Sequence, residues 1–298
     1  MIGQVLAAAT LSTTPLLLAA LGGLVNRRGG MVNIALEGKM LLGAIIAVLV
    51  SAATGSWVIG LLAAVGASAG AGLLFSLTVT RLGANEIIAG LGFNILVAGI
   101  IGYALKDAGS YQPDGLQTIP RVHVPGLASI PILGDVLSDK DPITYLAWLA
   151  VPAVAWFLAA TRPGLRLRAT GAAQDAAHAL GLPALRIRDA STVAAGAFAG
   201  LAGGQLALGL VGLFNQGMVA GRGFIALAAF YFGRARPLPT AIGCAVFALF
   251  DAIQIRLQQE GVSTQLVSTL PYLVVVVVLT LTALEAQRRG RPREVTTT

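Results

Sequence analysis

Eleven polar or charged side chains stand within or at the ends of long apolar runs: Asn33, Glu37, Asn85, Glu86, Asn94, Gln205, Asn215, Gln216, Arg222, Asp251 and Gln254. In hydrocarbon such groups are costly, and they usually face a protein interior or a wet path. A lone amide equally serves to pin two helices together. Amides offer both donors and acceptors, which suits the hydroxyls or ring edges of an uncharged polar solute. Phosphate recognition asks for convergent arginines, and only Arg222 lies inside a run. The candidate path residues are therefore Asn33, Asn94, Asn215, Gln216 and Arg222, with Asn33 and Asn215 the strongest pair. Glu86 reads instead as a first-turn carboxylate favoured by the helix dipole, with Asn85 as its cap. In GGMVNIALEGKMLLGA (29–44), Glu37 falls in a helix's first turn, and Lys39 is placed to snorkel toward headgroups or water. Arg222 has two possible partners, Asp251 and Glu37.

Catalytic patterns are absent from the sequence. LEGKML has a Gly-Lys pair but neither the leading glycine nor the hydroxyl of a phosphate-binding loop. His123 and His178 lie far apart, and the one cysteine, Cys244, builds neither a disulfide framework nor a cysteine metal cluster. The expectation is a chain that is not an enzyme and binds no metal or cofactor of its own.

These side chains need elements to carry them. The 298 residues are 56% apolar and 11% charged, with a mean hydropathy of +0.81, whereas soluble domains hold about 25% charged residues. That composition, with runs of about 20 apolar residues, describes an all-α polytopic membrane protein. The net charge of +7 comes with arginines clustered between apolar runs. Such clusters mark the cytoplasmic side of a membrane protein, and they exclude a nucleic-acid partner. Met1 precedes no basic segment, so the first run is expected to be a retained helix. The chain reads as one membrane domain over residues 1–298.

Eight spans are predicted at 5–25, 33–53, 57–80, 86–106, 143–161, 190–212, 237–256 and 264–285. A ninth, 214–235, is broken by Gly217, Gly221, Arg222 and Gly223. The loop 162–189 carries five arginines and the tail 286–298 four, while 107–142 holds five aspartates. Positive-inside asymmetry puts the first two in the cytoplasm and the third outside. Parity holds only if 214–235 crosses, which gives about nine crossings with the N-terminus outside. LGGLVNRRGGMVNIALEG and LVGLFNQGMVAGRGFIALAA both close a helix with L-x-G-L-x-N before a Gly-rich stretch. An odd number of crossings separates them, as in inverted repeats with interrupted helices; chance likeness of two Gly/Leu-rich stretches is the other reading. GASAGAG (66–72) and GAFAGLAGG (196–204) carry small-xxx-small spacing for close helix packing, within one subunit rather than at a dimer seam.

In the five-arginine loop, Gly171 and Gly181 bracket a predicted helix over 172–180, stopped by Pro183, with the arginines outside it. Ala172, Ala173, Ala176, Ala177, Ala179 and Leu180 give it an apolar face suited to a partner's groove.

VNIALEGKMLLGA, GANEIIAGLGFNIL, GLRLRATGAAQDAAHALGLPALRIRDAS and GMVAGRGFIALAAFYFGRARP resemble, in order, the signature segments of a permease family. It is the ABC-importer family of branched-chain amino acid, ribose and simple-sugar permeases, and the likeness is strongest to its nucleoside-uptake branch. The resemblance implies a multi-pass permease subunit in a bacterial plasma membrane that pairs with a second, similar permease. It also implies cytoplasmic ATP-binding subunits, which hold the ATP and magnesium, and an extracytoplasmic substrate-binding protein or lipoprotein. On that resemblance 171–181 is the coupling helix. Simple sugars are the alternative solute, and an ion-coupled secondary transporter is the alternative class.

Overall fold

The computed structural model describes residues 2–106, 110–123 and 138–259. Seven helices among them are long and apolar enough to cross a bilayer. In chain order come α1 (Ile2–Arg28), α2 (Leu36–Thr54), α3 (Trp57–Thr80), α4 (Glu86–Ala104) and α5 (Pro142–Ala160). Two short helices follow, α6 (Arg162–Ala172) and α7 (Gln174–Ala179). The long α8 (Ala184–Gln205) then runs on as a π-helical turn over Leu206–Val211, and α9 (Arg222–Phe232) and α10 (Pro237–Gln259) complete the described helices. Seven of the expected spans fall on these long helices; 264–285 and the tail 286–298 lie outside the described residues.

Local chemistry fixes the helix starts. Asn85 Oδ1 accepts from the N–H groups of Ile87 and Ile88 at 2.9 and 3.2 Å, the cap expected for α4. Asp141 caps α5 through the N–H of Thr144 at 2.9 Å, with Pro142 in the first turn. Thr161 caps α6 through Gly164 at 3.1 Å.

The densest packing runs between α3 and α8, with α2 crossing them. A Cβ on Gly196 would strike the carbonyl of Ser68, one on Gly200 that of Ala64, and one on Gly203 that of Met40. Backbone-to-backbone approach of this kind admits only glycine, as the spacing in 196–204 anticipates. Gly66 and Gly70 depart from that expectation: nothing lies within 4 Å of a Cβ at either. They sit on the outer side of α3 because Ala64, Ser68, Ala71 and Gly72 turn inward. α4 is the most outward helix, with Ile88 72%, Ile95 73% and Leu96 58% exposed.

The bundle has two distinguishable ends. At one, Arg28 Nε donates to the carbonyl of Ala235 at 2.7 Å, and Arg81 pairs with Asp189 at 2.9 Å. At the other, Ser51 Oγ bonds the carbonyl of Gln117 at 2.7 Å and Ile119 N that of Leu208 at 3.0 Å. At this loop end two-residue strands β1 (Ser110–Tyr111) and β2 (Phe214–Asn215) pair antiparallel. Segment 214–235 therefore starts at the loop end of the bundle and finishes at the arginine end. It is built differently from its neighbours. α9 has 11 residues, about 16 Å of helix against a hydrocarbon core of about 30 Å, and turns over 216–221 supply the rest.

Candidate translocation site and docking face

The two interruptions, 29–35 and 212–221, face each other through one carboxylate. Glu37, in the first turn of α2, accepts from Gly221 N at 2.8 Å and from Gly223 N at 2.7 Å. It thus caps the N-terminus of α9, where unpaired N–H groups and the helix dipole both favour an anion. Two helix N-termini converge on this residue, and Gly223 is too close to the Glu37 backbone to carry a Cβ. The sequence reading of Glu37 as a first-turn group captures half of this role.

Around the first interruption each amide side chain makes a hydrogen bond, although Asn33 Nδ2 is buried without a partner. Asn94 Oδ1 accepts from Gly38 N at 2.8 Å, and its Nδ2 donates to the Ile34 carbonyl at 3.0 Å, so it clamps the start of α2. Glu86 accepts from Val32 N at 2.6 Å and pairs with Arg188 at 2.8 Å. Asn33 is fully buried, and its Oδ1 accepts from Lys39 Nζ at 3.0 Å. The snorkelling expected of Lys39 is overturned: the side chain is 0% exposed, with its Nζ 4.3 Å from the centre of the Phe75 ring. Lys39 points inward because α3 and α4 cover that face of α2, and the aromatic ring and the amide replace water as its surroundings.

The second interruption is open. Asn215 and Gln216 are exposed at the loop end. Asn215 Oδ1 accepts from Gly217 N at 2.8 Å, and Gln216 Nε2 donates to the Leu105 carbonyl at 3.3 Å. Arg222 resolves to Asp251 at 3.2 Å and also bonds the Met218 carbonyl at 2.8 Å. The structure does not bring Asn33 and Asn215 together. By L-x-G-L-x-N the counterpart of Asn215 is Asn26, which stays within α1 and donates to Ser191 and Thr192 at 3.0 and 2.7 Å. Gly212, by contrast, ends its helix in the left-handed region, at φ 74°.

The loop 162–189 also departs from expectation. The short helix expected over 172–180 is present but shorter, α7 spanning Gln174–Ala179, while Gly171 and Ala172 belong to the end of α6. Gly171 serves as a contact rather than a bracket, since a Cβ there would meet the Arg28 carbonyl and Gly30. As expected, the arginines lie outside the short helix, Arg162, Arg166 and Arg168 before it on α6 and Arg186 and Arg188 after it on α8. Gly181, at φ 79°, does terminate the short helix. Ala172, Ala173, Ala176 and Gly181 are exposed, as is Leu180 at 83%, whereas Ala177 is turned inward at 3%. The apolar face is present, without Ala177.

Sequence reasoning missed the polar node on Asp189, which takes Ser76, Thr80 and Arg81 at 2.6, 2.9 and 2.9 Å. Its one signal was an aspartate following directly on the arginine pattern of the loop.

Broken helices that meet at a partly buried carboxylate within a multi-pass bundle are a feature of membrane transport subunits. The family model for the permease component of the branched-chain amino acid transport system matches residues 5–279, and the chain belongs to that family. Curated relatives agree. The guanosine ABC transporter permease protein of Bacillus subtilis is 34% identical over 243 residues, covering 78% of this chain and 76% of the relative. The nucleoside ABC transporter permease protein of Lactococcus lactis is 30% identical over 283 residues, 90% and 89% of the two chains. The putative glucose ABC transporter permease protein of Haloferax volcanii is 29% identical over 300 residues, 93% and 90%. The chain is a permease subunit of an ABC transporter, not itself an enzyme.

Proposed function

We propose that this chain forms the translocation path of an ATP-driven importer for nucleosides. The observation that carries an uncharged solute is the pairing of Arg222 with Asp251. With its charge met inside the protein, the path offers amides and backbone groups rather than a free cation. The nucleoside relatives favour a nucleoside over a sugar, and the glucose relative keeps simple sugars as the second reading. Asn33, Asn94, Asn215, Gln216 and Arg222 stand along the path, the first two at its closed wall and Asn215 and Gln216 at its mouth.

The arginine end faces the cytoplasm, and the loop end receives solute from a binding protein or lipoprotein outside. Gly171, Ala172, Ala173, Ala176, Leu180 and Gly181 form the docking face for an ATP-binding subunit, which carries the ATP and magnesium. Ala177 supports that face from beneath. The exposed apolar surface of α4, with the uncovered glycines of α3 beside the seam, suits a second permease subunit.

The test is reconstitution with the partner subunits in proteoliposomes. ATP-dependent uptake of labelled guanosine, displaced by other nucleosides but not by glucose, is the expected result. Displacement by glucose alone would select the sugar reading, and uptake by this chain alone under an ion gradient would overturn the class. Ala176→Glu is expected to abolish uptake at unchanged thermal stability, because the Ala176 side chain is exposed on the proposed docking face. Ala177→Glu is the wrong probe, since it buries a charge.

A further inference from the structure

At the arginine end, α1, α6 and the turn after α9 enclose a cavity of about 380 Å³ lined by Arg27, Arg28, Arg168 and Arg234, with Phe230 and Tyr231. No carboxylate lines it among the described residues. The ion pairs of Arg81, Arg188 and Arg222 lie elsewhere. Buried Arg168 Nε has no hydrogen-bond partner. The site is built rather than incidental. Arg28 Nε holds the Ala235 carbonyl at 2.7 Å, and the turn it fixes keeps Arg234 and Ala235 at φ 50° and 47°. Two successive non-glycine residues in the left-handed region are costly, and the outcome is an arginine turned into the cavity. Four cations gathered without a counter-charge repel one another, and an anion between them removes that repulsion.

We propose that this cavity binds the headgroup phosphate of an anionic phospholipid. The surface around the mouth favours lipid over an acidic side chain from a partner. Tyr231 is 39% exposed beneath the Arg27 guanidinium, whose carbon lies 5.5 Å from the ring centre. An aromatic at headgroup level is a membrane-interface feature. The next helix turns Leu238 and Ile242 outward, 65% and 58% exposed, where acyl chains lie. Basic pockets between helices are recognised headgroup sites, and the volume is that of a small-ligand pocket. Gly171 and Ala172 of the proposed docking face also line the cavity, so the headgroup site borders that face; the inference does not require the nucleoside assignment.

The test uses the full chain in neutral detergent, titrated separately with dioleoylphosphatidylglycerol, dioleoylphosphatidylcholine and inorganic phosphate. Thermal unfolding and native mass spectrometry are the readouts. Phosphatidylglycerol is expected to raise the unfolding midpoint saturably and to remain bound, with phosphatidylcholine and inorganic phosphate without effect. Arg168→Gln and Arg234→Gln should each weaken the lipid about fivefold. Arg166→Gln, on the same helix but outside the cavity, should leave it unchanged, and gel filtration checks that each variant is folded. Equal shifts with phosphatidylcholine, or equal weakening by Arg166→Gln, would overturn a defined site. A shift reproduced by inorganic phosphate would assign a free anion. Silence toward all three, with loss of the ATP-binding subunit from Arg234→Gln, would assign a protein carboxylate.

Discussion

The two chain breaks share a sequence pattern, a glycine-rich interruption bearing an asparagine, and they end in opposite physical states. Residues 29–35 are fastened: Val32 to Glu86, Ile34 to Asn94 and Asn33 to Lys39. Residues 212–221 show Asn215, Gln216 and Gly217 to solvent and place Gly212, Ala220 and Gly221 at positive φ. The exposed stretch is short, since Phe214, Met218 and Val219 beside it are buried, and exposed backbone over 215–217 marks low local stability. The difference separates a mount from a moving part, and Glu37 joins the two.

The change expected to disturb this arrangement most is Glu37→Ala. It strands the N–H groups of Gly221 and Gly223, and hydrogen bonds to charged groups contribute about 1.5–3 kcal/mol each. Guanosine uptake should fall to background and the unfolding midpoint should drop, with Glu37→Gln intermediate because one carbonyl oxygen remains. Wild-type uptake by Glu37→Ala would show that the breaks are not linked through this side chain. Next in size is Asn33→Ala, which leaves the buried Lys39 Nζ without its acceptor. Stranding a buried polar group costs about 1–3 kcal/mol, read as a lowered midpoint in detergent. Arg222→Gln should cost less, about 1 kcal/mol, since Arg222 and Asp251 are each partly exposed. Its companion Asp251→Asn should cost a similar amount, and the double variant less than the sum.

Much of this architecture is legible in the sequence because length and apolarity alone specify a spanning helix. The seven long spans followed from counting residues, and Asn85 announced its own cap. The site was less legible. Whether Lys39 reaches water depends on which helices cover its face of α2, and nothing local to GGMVNIALEGKMLLGA encodes the arrival of Phe75. The pairing of Asn33 with Asn215 was suggested by composition, whereas the repeat's own spacing selects Asn26. Small-residue spacing likewise found the α8 seam through Gly196 and Gly200 but could not say that Gly66 and Gly70 face outward. Periodicity reports that a close approach is possible, and only the partner helix decides where it occurs.

The smallest expected effect on stability is the sharpest test of the comparison. Asn215→Ala alters an exposed turn whose only described side-chain bond is to Gly217 N, so the midpoint should shift by no more than about 0.5 kcal/mol equivalent. If the open break is the mouth of the path, the same variant should still raise the KM for guanosine uptake while leaving ATP hydrolysis by the assembled transporter unchanged. Asn33→Ala should behave in the opposite way, losing stability first and transport only as folded protein is lost. A KM effect at Asn33 with none at Asn215 would reverse the assignment, making the fastened break the recognition surface. Equal stability losses at both positions would mean that the two breaks are mechanically alike, and that exposure at 215–217 does not report mobility.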